Sequence, residues 1–257
     1  MNNAGSRGRR MTLHVFRALA IAAMALAGLL TPQSAGATEI PLSTPGSEGW
    51  RPLVFRGVAN QTRYTLESFE GVEIAKAESN CGASGLVLRL DAIHLDQTPL
   101  LSWRWRVDRG LDLLEEQTKA EDDFAARVYI MFELDKSRAS TFQRLRHRLA
   151  ELIYGEEIPG SALNFVWTSR LPAGTVWNNP FESSAKMIAL AQGANTDWQT
   201  ETVDVAARYR ELFRSPVPPP LGLAIMSDSD NSCQRTEARF ADFKFLNPPE
   251  LEEQDAK

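Results

Sequence analysis

The chain has 257 residues, of which 43% are hydrophobic and 24% charged, and its formal net charge at pH 7 is −5. This length is sufficient for one domain with a sizeable core. The acidic balance argues against binding nucleic acid or anionic lipid through the overall electrostatic field of the protein.

The first 37 residues have the features of a secretory signal peptide. Arginines at positions 7, 9, 10 and 17 form a basic region, residues 18–30 are apolar, and the small residues 35–37 supply a cleavage site. The apolar run is shorter than the roughly 20 residues needed to cross a bilayer. We expect residues 1–37 to be removed and the protein to be periplasmic or secreted, with no transmembrane segment and a net charge of −9 after four arginines are lost from −5.

The next part of the chain predicts an extended lead-in followed by short strands. Residues 38–49 are rich in proline, glycine and serine. Alternating or β-branched patterns then favour strands at 50–58, 62–69, 72–78 and 85–90.

Two longer strand patterns follow, at 100–108 and 123–134. In the first, Trp103 and Trp105 share one face with other apolar residues, which is typical of a strand buried on one side. If the two strands lie in one sheet, its second face carries Arg104, Arg106, Arg127 and Tyr129.

The remainder of the chain continues as strands with few helices. Helical patterns occur at 140–154 and 206–213, and strand patterns at 162–168, 186–191, 198–205, 221–226 and 238–246. These elements predict one all-β domain over residues 50–246, an antiparallel β-sandwich of jelly-roll type with one or two short helices. Residues 247–257 are expected to be a disordered acidic tail.

Several blocks of sequence resemble a family of bacterial exported proteins catalogued as domain of unknown function 3047. The blocks are residues 103–105, 122–129, 164–167, 198 with 201, and 225–231. The resemblance implies a relative without a settled activity. More loosely, the strand order and residues 240–245 are similar to galactose-binding-like carbohydrate-binding modules, which implies the same fold and suggests a carbohydrate partner.

The arginine and tyrosine face is the first candidate ligand-binding site. Guanidinium groups form bidentate hydrogen bonds with carboxylates and stack on rings, so Arg104, Arg106, Arg127 and Tyr129 could hold an acidic or hydroxyl-rich ligand. The alternative is a set of cross-strand ion pairs with Asp108, Asp123 and Glu133. Trp50, Trp177 and Trp198 are candidates for stacking on a sugar, with a core or rim position as the alternative.

The acidic loop after residue 227 is a candidate cation site. Asp228, Asp230 and Asn231 supply three oxygen side chains of the kind calcium prefers, although the spacing is not that of an EF-hand. The alternative is a cluster of turns at the end of a strand. No other cofactor is indicated.

The two cysteines, Cys81 and Cys233, are either a disulfide or two separate thiols. In an oxidising compartment an even count favours pairing, but spacing alone does not determine it.

Three functions are compatible with these patterns. The first is an exported β-sandwich that binds a carbohydrate or cell-envelope glycan through the arginine face. The second is a glycan hydrolase or lyase that uses carboxylates of Asp122, Asp123 or Asp228. The third is an envelope structural or interaction module without a small ligand. The sequence lacks the usual nucleophile, zincin and phosphate-loop motifs, so an enzyme is the less favoured alternative. Oligomeric state is not indicated by any pattern.

Overall fold

A computed structural model describes residues 39–135 and 159–248, and within them the chain forms two β-sheets and one helix. The predicted signal peptide, helix 140–154 and most of the predicted tail lie outside the described residues. The elements are β1 (Glu39–Pro41), β2 (Arg51–Val54), β3 (Arg63–Phe69), β4 (Val72–Asn80), β5 (Ala83–Arg89), β6 (Leu100–Arg109), β7 (Ala126–Phe132), β8 (Ser161–Thr168), β9 (Val176–Asn178), β10 (Ala185–Gln192), β11 (Asn195–Asp204), α1 (Val205–Phe213), β12 (Pro220–Asp228) and β13 (Arg235–Leu246).

The strands are divided between two sheets. The first sheet has the order β11-β6-β13-β4-β3, with β1 paired to β13, and the second has the order β2-β5-β12-β7-β8-β10-β9. All pairs are antiparallel except β8 with β10, which is parallel. The predicted β-sandwich is confirmed, with a mixed second sheet in place of a purely antiparallel one. The expected lead-in forms β1, which extends the first sheet.

The core lies between the two sheets and is built around tryptophans. Trp103 and Trp105 of β6 are fully buried, as the alternating pattern predicts. The ring centroid of Trp105 lies 5.4 Å from that of Trp167 in β8, so this contact joins the two sheets. An edge-on aromatic pair of this kind adds about 1 kcal/mol beyond its buried area.

The single described helix, α1, closes one side of the core. It begins after Asp204, whose carboxylate accepts a hydrogen bond from the Ala207 backbone N–H at 2.7 Å, a typical N-cap. Its Tyr209 ring packs 4.5 Å from Phe132 of β7. The helix of the described residues is neither long nor apolar enough to cross a bilayer.

The two cysteines form a disulfide, Cys81–Cys233, with their Cα atoms 3.9 Å apart. It connects the turn after β4 to the turn before β13, and the Cys81 backbone N–H donates to the Gln234 carbonyl at 3.0 Å. Of the two alternatives left open by the sequence, the structure contains the disulfide. The turns at this end of the sandwich are therefore fixed to each other covalently.

Candidate functional site

The four residues of the predicted arginine and tyrosine face lie on opposite sides of the sandwich. β6 pairs with β11 and β13 in the first sheet, whereas β7 pairs with β12 and β8 in the second. Each strand turns its apolar face toward the shared core, so their polar faces point in opposite directions. The expectation that Arg104 and Arg106 join Arg127 and Tyr129 on one face is therefore wrong.

The arginines of the first sheet are held by neighbouring carboxylates. Arg106 pairs with Asp108 at 3.2 Å, and Arg104 pairs with Asp242. Both pairs are partly accessible to solvent, so each contributes little to stability. For Arg104 and Arg106, the structure contains ion pairs, as the alternative predicted, but Asp108 is on the same strand as Arg106, and the cross-strand partner of Arg104 is Asp242 and not Asp123 or Glu133.

These two arginines also pack on aromatic rings. The Arg106 guanidinium carbon lies 5.3 Å from the ring centroids of both Phe69 and Trp198, and that of Arg104 lies 5.1 Å from Trp198. Such cation–π contacts fix the orientation of the guanidinium groups. Trp198, a predicted sugar-stacking residue, has the two guanidinium groups against its ring.

Arg127 of the second sheet is buried and forms a bidentate ion pair. Only 2% of the residue is exposed. Its Nε donates to Asp228 Oδ1 at 2.8 Å and its Nη2 donates to Asp228 Oδ2. Its Nη1 lies 3.6 Å from Asp122 Oδ2, and its guanidinium carbon lies 4.5 Å from the Phe124 ring centroid. Both carboxylates are buried, so the arginine balances two charges that would otherwise be costly.

Backbone hydrogen bonds hold the two segments of this pair together. The Asp228 N–H donates to the Phe124 carbonyl at 3.1 Å, and the Phe124 N–H donates to Asp228 Oδ1 at the same distance. Asp123 accepts from the backbone N–H groups of Asn231 at 3.2 Å and Ser232 at 2.6 Å. Asp123 and Phe124, the first residues of the strand predicted at 123–134, thus connect the segment before β7 to the end of β12 and the loop after it.

Burial dominates the ionisation of this cluster. It raises the pKa of the Asp228 carboxyl to about 7, although Arg127 acts in the opposite direction. Burial also raises the pKa of Asp122, again opposed by Arg127. The pKa of Tyr129, which lies beside them on β7, is raised to about 12, mainly by burial. Shifted groups that lie close together are a feature of functional sites as well as of structural ion-pair networks.

The predicted cation loop brings three carboxylates together, but Asp123 takes the place that was predicted for Asn231. Single oxygens of Asp123, Asp228 and Asp230 lie within 4.8 Å of one another. Asn231 contributes its backbone N–H to Asp123, and its side-chain amide donates to the Lys119 carbonyl. Arg127 already neutralises part of this charge. Calcium binding at this loop remains a prediction.

A group of residues lies next to Arg127 on the outer face of the second sheet. We call it the polar floor, and it consists of Asp122, Asn164 and Trp177 around Phe124 and Met187. Asn164 Nδ2 lies 3.0 Å from Met187 Sδ, Trp177 pairs with Met187 across β9 and β10, and the Phe124 and Trp177 rings are 6.1 Å apart. Arg127 connects Asp122 to Phe124.

Within residues 39–135 and 159–248, each polar member of the floor has a buried atom that makes no hydrogen bond. These atoms are Asp122 Oδ1, Asn164 Oδ1 and Trp177 Nε1. A buried polar atom that loses its water without gaining a partner costs about 1 to 3 kcal/mol. The floor therefore contains two acceptors and one donor, all buried, beside an aromatic pair, and hydroxyl groups on a ring could satisfy such a set.

The sequence reasoning found Trp177 but missed Asn164 as a site residue. In β8, Leu163, Phe165 and Trp167 face the core, so Asn164 is a polar residue on the other face next to Val166. That isolated amide in an otherwise apolar strand is the signal that could have identified it. Trp50 is a core residue instead, because only 9% of it is exposed. Its Nε1 donates to the Ser43 carbonyl at 3.0 Å.

Solved structures with a similar arrangement of strands are carbohydrate-binding modules and cellulases. The family 11 carbohydrate-binding module of the cellulosomal cellulase Lic26A-Cel5E of Clostridium thermocellum has 10% identity and a TM-score of 0.42, and the match covers 85% of this chain and 99% of that one. The family 30 module of the cellulase Cel9D-Cel44B of the same organism has 11% identity and a TM-score of 0.40, over 83% and 99%. Endoglucanase 3 of Trichoderma harzianum, from family GH12, has 9% identity and a TM-score of 0.38, over 83% and 98%.

Two sheets packed on a shared core define the protein as a β-sandwich. No curated protein sequence matches the chain. The family model described as "Protein of unknown function (DUF3047)" matches residues 48–244, which is most of the chain. The chain belongs to this family, as its sequence blocks predict.

Proposed function

We propose that this protein binds a carbohydrate through the outer face of its second sheet, with the polar floor as the contact surface. Asp122, Phe124 and Asn164 are buried, so a sugar ring would reach them only when Trp177, the half-buried ring that packs against this cluster, moves aside. Trp177 and Phe124 would then supply apolar contacts, and Asp122 and Asn164 would accept hydrogen bonds from the hydroxyl groups. Tyr129, half-buried on the same face, would line the edge of this surface. Arg127 would act through Asp122 and Phe124, which it holds in place.

The observation that carries this proposal is the set of three unpartnered buried atoms on the polar floor. Two acceptors and one donor require a partner that can both donate and accept, as a hydroxyl group can. An acidic ligand is disfavoured here, because Asp122 and Asp228 lie beside Arg127 and already balance its charge. The floor therefore favours a neutral, hydroxyl-rich ligand.

A thermal-shift screen of the full chain tests the proposal. The panel contains neutral glucan oligosaccharides such as cellohexaose and a mixed-linkage β-1,3-1,4 tetrasaccharide, envelope glycans and glucuronate, each with and without EDTA. A ligand at a hundredfold excess over its dissociation constant stabilises the fold by about 2.7 kcal/mol. A shift with a neutral glycan that persists in EDTA is expected. If no glycan shifts the melting temperature, the proposal fails. The hypothesis of an envelope structural or interaction module without a small ligand is then favoured.

A hydrolase or lyase acting on the same glycan is the second candidate, and the presence of two carboxylates around Arg127 favours it. Asp122 and Asp228 both flank Arg127, so two carboxylates are close together. Release of reducing ends from a bound glycan, abolished by Asp228→Asn in a variant that still folds, would distinguish an enzyme from a binding protein.

We further propose that the protein works in the periplasm or outside the cell. The disulfide Cys81–Cys233 supports an oxidising compartment, and the basic and apolar start of the sequence supports export. Cell fractionation with an antibody against the chain tests this, and recovery in the cytoplasm would contradict it.

A further inference from the structure

A cleft of about 480 Å³ lies at the end of the first sheet, beside the disulfide. Its walls come from the start of β3, the end of β4, the end of β6 and the start of β13, and they carry Arg63, Glu78, Asn80, Arg109, Arg235 and Glu237. The cleft shares no residue with the polar floor. Its volume is within the range of sites that hold small organic ligands, and it exceeds the space that one inorganic ion needs.

The charges of this cleft are unevenly compensated. Glu78 pairs with Arg63 and with Lys76, and Glu237 pairs with Lys76 at 3.2 Å and with Arg239 at 2.8 Å. The two glutamates are thus occupied by Arg63 of the cleft wall and by Lys76 and Arg239, which lie outside the lining.

Arg109 and Arg235 are exposed and form no such pairs, although Glu237 lies opposite Arg109 in the register of β6 and β13. Neither forms an ion pair with any carboxylate of residues 39–135 and 159–248, and the hydrogen bond of the Arg235 guanidinium is from Nε to Asn80 Oδ1, at 3.1 Å. Two like charges in one cleft repel each other, and an anion between them removes that repulsion.

Neutral polar groups beside the two arginines remain available to a ligand. The side chain of Gln61 is exposed in the cleft wall, and the Asn80 amide nitrogen, unlike its Oδ1, makes no hydrogen bond within the described residues. Amides recognise hydroxyl groups because they both donate and accept. The cleft therefore combines two arginines that form no ion pair with groups suited to hydroxyls.

The disulfide holds this arrangement in advance of binding. Asn80 directly precedes Cys81, and Arg235 follows Cys233 by two residues, so the bridge ties together the two segments that carry them. A wall that is already ordered loses less conformational entropy when a ligand binds.

We propose that this cleft binds the carboxylate of a sugar acid, with Arg109 and Arg235 contacting the carboxylate and Gln61 and Asn80 contacting the hydroxyl groups. A guanidinium matches a carboxylate through two parallel hydrogen bonds. This site does not depend on the proposed function, because it lies at another part of the surface and selects a charged ligand.

Isothermal titration of the full chain with glucuronate, glucose and inorganic phosphate tests the proposal. Glucuronate should bind at least tenfold more tightly than glucose, which has the same ring without the charge. Arg109→Gln and Arg235→Gln should each weaken glucuronate binding about tenfold or more, since charge-assisted hydrogen bonds are lost. Arg208→Gln, which removes an exposed arginine of α1 away from the cleft, should leave it unchanged.

The result can overturn the proposal in three ways. Equal binding of glucuronate and glucose would exclude an anion-selective cleft. Unchanged affinity in both cleft variants, with circular dichroism showing them folded, would place the anion elsewhere. Binding of phosphate without binding of glucuronate would overturn the sugar acid as the ligand. Because the polar floor is intact in these variants, failure here is separate from failure of the glycan-binding proposal.

Discussion

Arg127 and Asp228 are 101 residues apart in the chain and form a buried bidentate ion pair at the end of the second sheet. In addition, the Asp228 backbone N–H donates to the Phe124 carbonyl, and the Phe124 backbone N–H donates to the Asp228 carboxylate. The pair is thus a connection between β7 and β12 and, through Phe124, a support for the polar floor.

Breaking this pair from one side should be strongly destabilising. Arg127→Met leaves Asp228 and Asp122 buried without their cation, and we expect a loss of about 3 to 5 kcal/mol in the free energy of unfolding. Urea denaturation measures it. In the double variant Arg127→Met, Asp228→Leu much of the loss should return, because both charges are replaced by apolar groups.

Arg104→Met is the matched control on the opposite face. Its pair with Asp242 is partly exposed, so the expected change is at most about 1 kcal/mol. Equal losses in Arg104→Met and Arg127→Met would contradict the assignment of one pair to the surface and the other to the interior.

The disulfide should contribute substantially to stability. Cys81 and Cys233 are separated by 152 residues, and in the chain-entropy model closing a loop of this length contributes about 5 kcal/mol. The double variant Cys81→Ser, Cys233→Ser should therefore melt at a clearly lower temperature in a calorimeter. Added dithiothreitol should lower the melting temperature of the wild type but not of the variant, and an unchanged wild type would count against the expected contribution.

Glu237 should make stability depend on acid pH. Burial disfavours its charged form, but Lys76 and Arg239 hold its pKa below the usual 4.5 in the folded state. The stabilisation is therefore present above the unfolded-state pKa and is lost as the pH falls through the lower, folded-state pKa. Between about pH 5 and pH 3, the wild type should lose more free energy of unfolding than Glu237→Gln, and parallel curves would contradict this.

The strands were predictable from the sequence because burial on one face imposes a period of two. Leu101, Trp103 and Trp105 alternate with polar residues, and the structure buries all three. The short strand β9 was missed, because its three residues lie among turn-forming asparagine and proline and are too few to show a period.

The position of the site was less predictable, because periodicity does not determine which strands pair. β6 and β7 follow each other in the chain but belong to different sheets, so Arg104 and Arg127 face opposite ways. The proximity of Arg127 to Asp228 is likewise a long-range contact that no local pattern encodes. These arginines and carboxylates could be identified as candidate site residues from the sequence, but which of them lie together depends on the order of the strands in the sheets.

The most direct measurement of the central claim is an isothermal titration of two tryptophan variants against the glycan that shifts the wild type. Trp177→Phe keeps an aromatic ring on the polar floor but removes the unpartnered indole N–H. Trp198→Phe makes the same change on the first sheet, where Trp198 Nε1 is also unpartnered. Asn164→Ala, if it folds, removes an acceptor from the same floor.

We predict that Trp177→Phe weakens binding about tenfold, the effect of one lost hydrogen bond in a buried site, and that Trp198→Phe binds like the wild type. The opposite pattern, with binding weakened by Trp198→Phe and unaffected by Trp177→Phe, would place the glycan on the first sheet and contradict the polar floor as the binding surface.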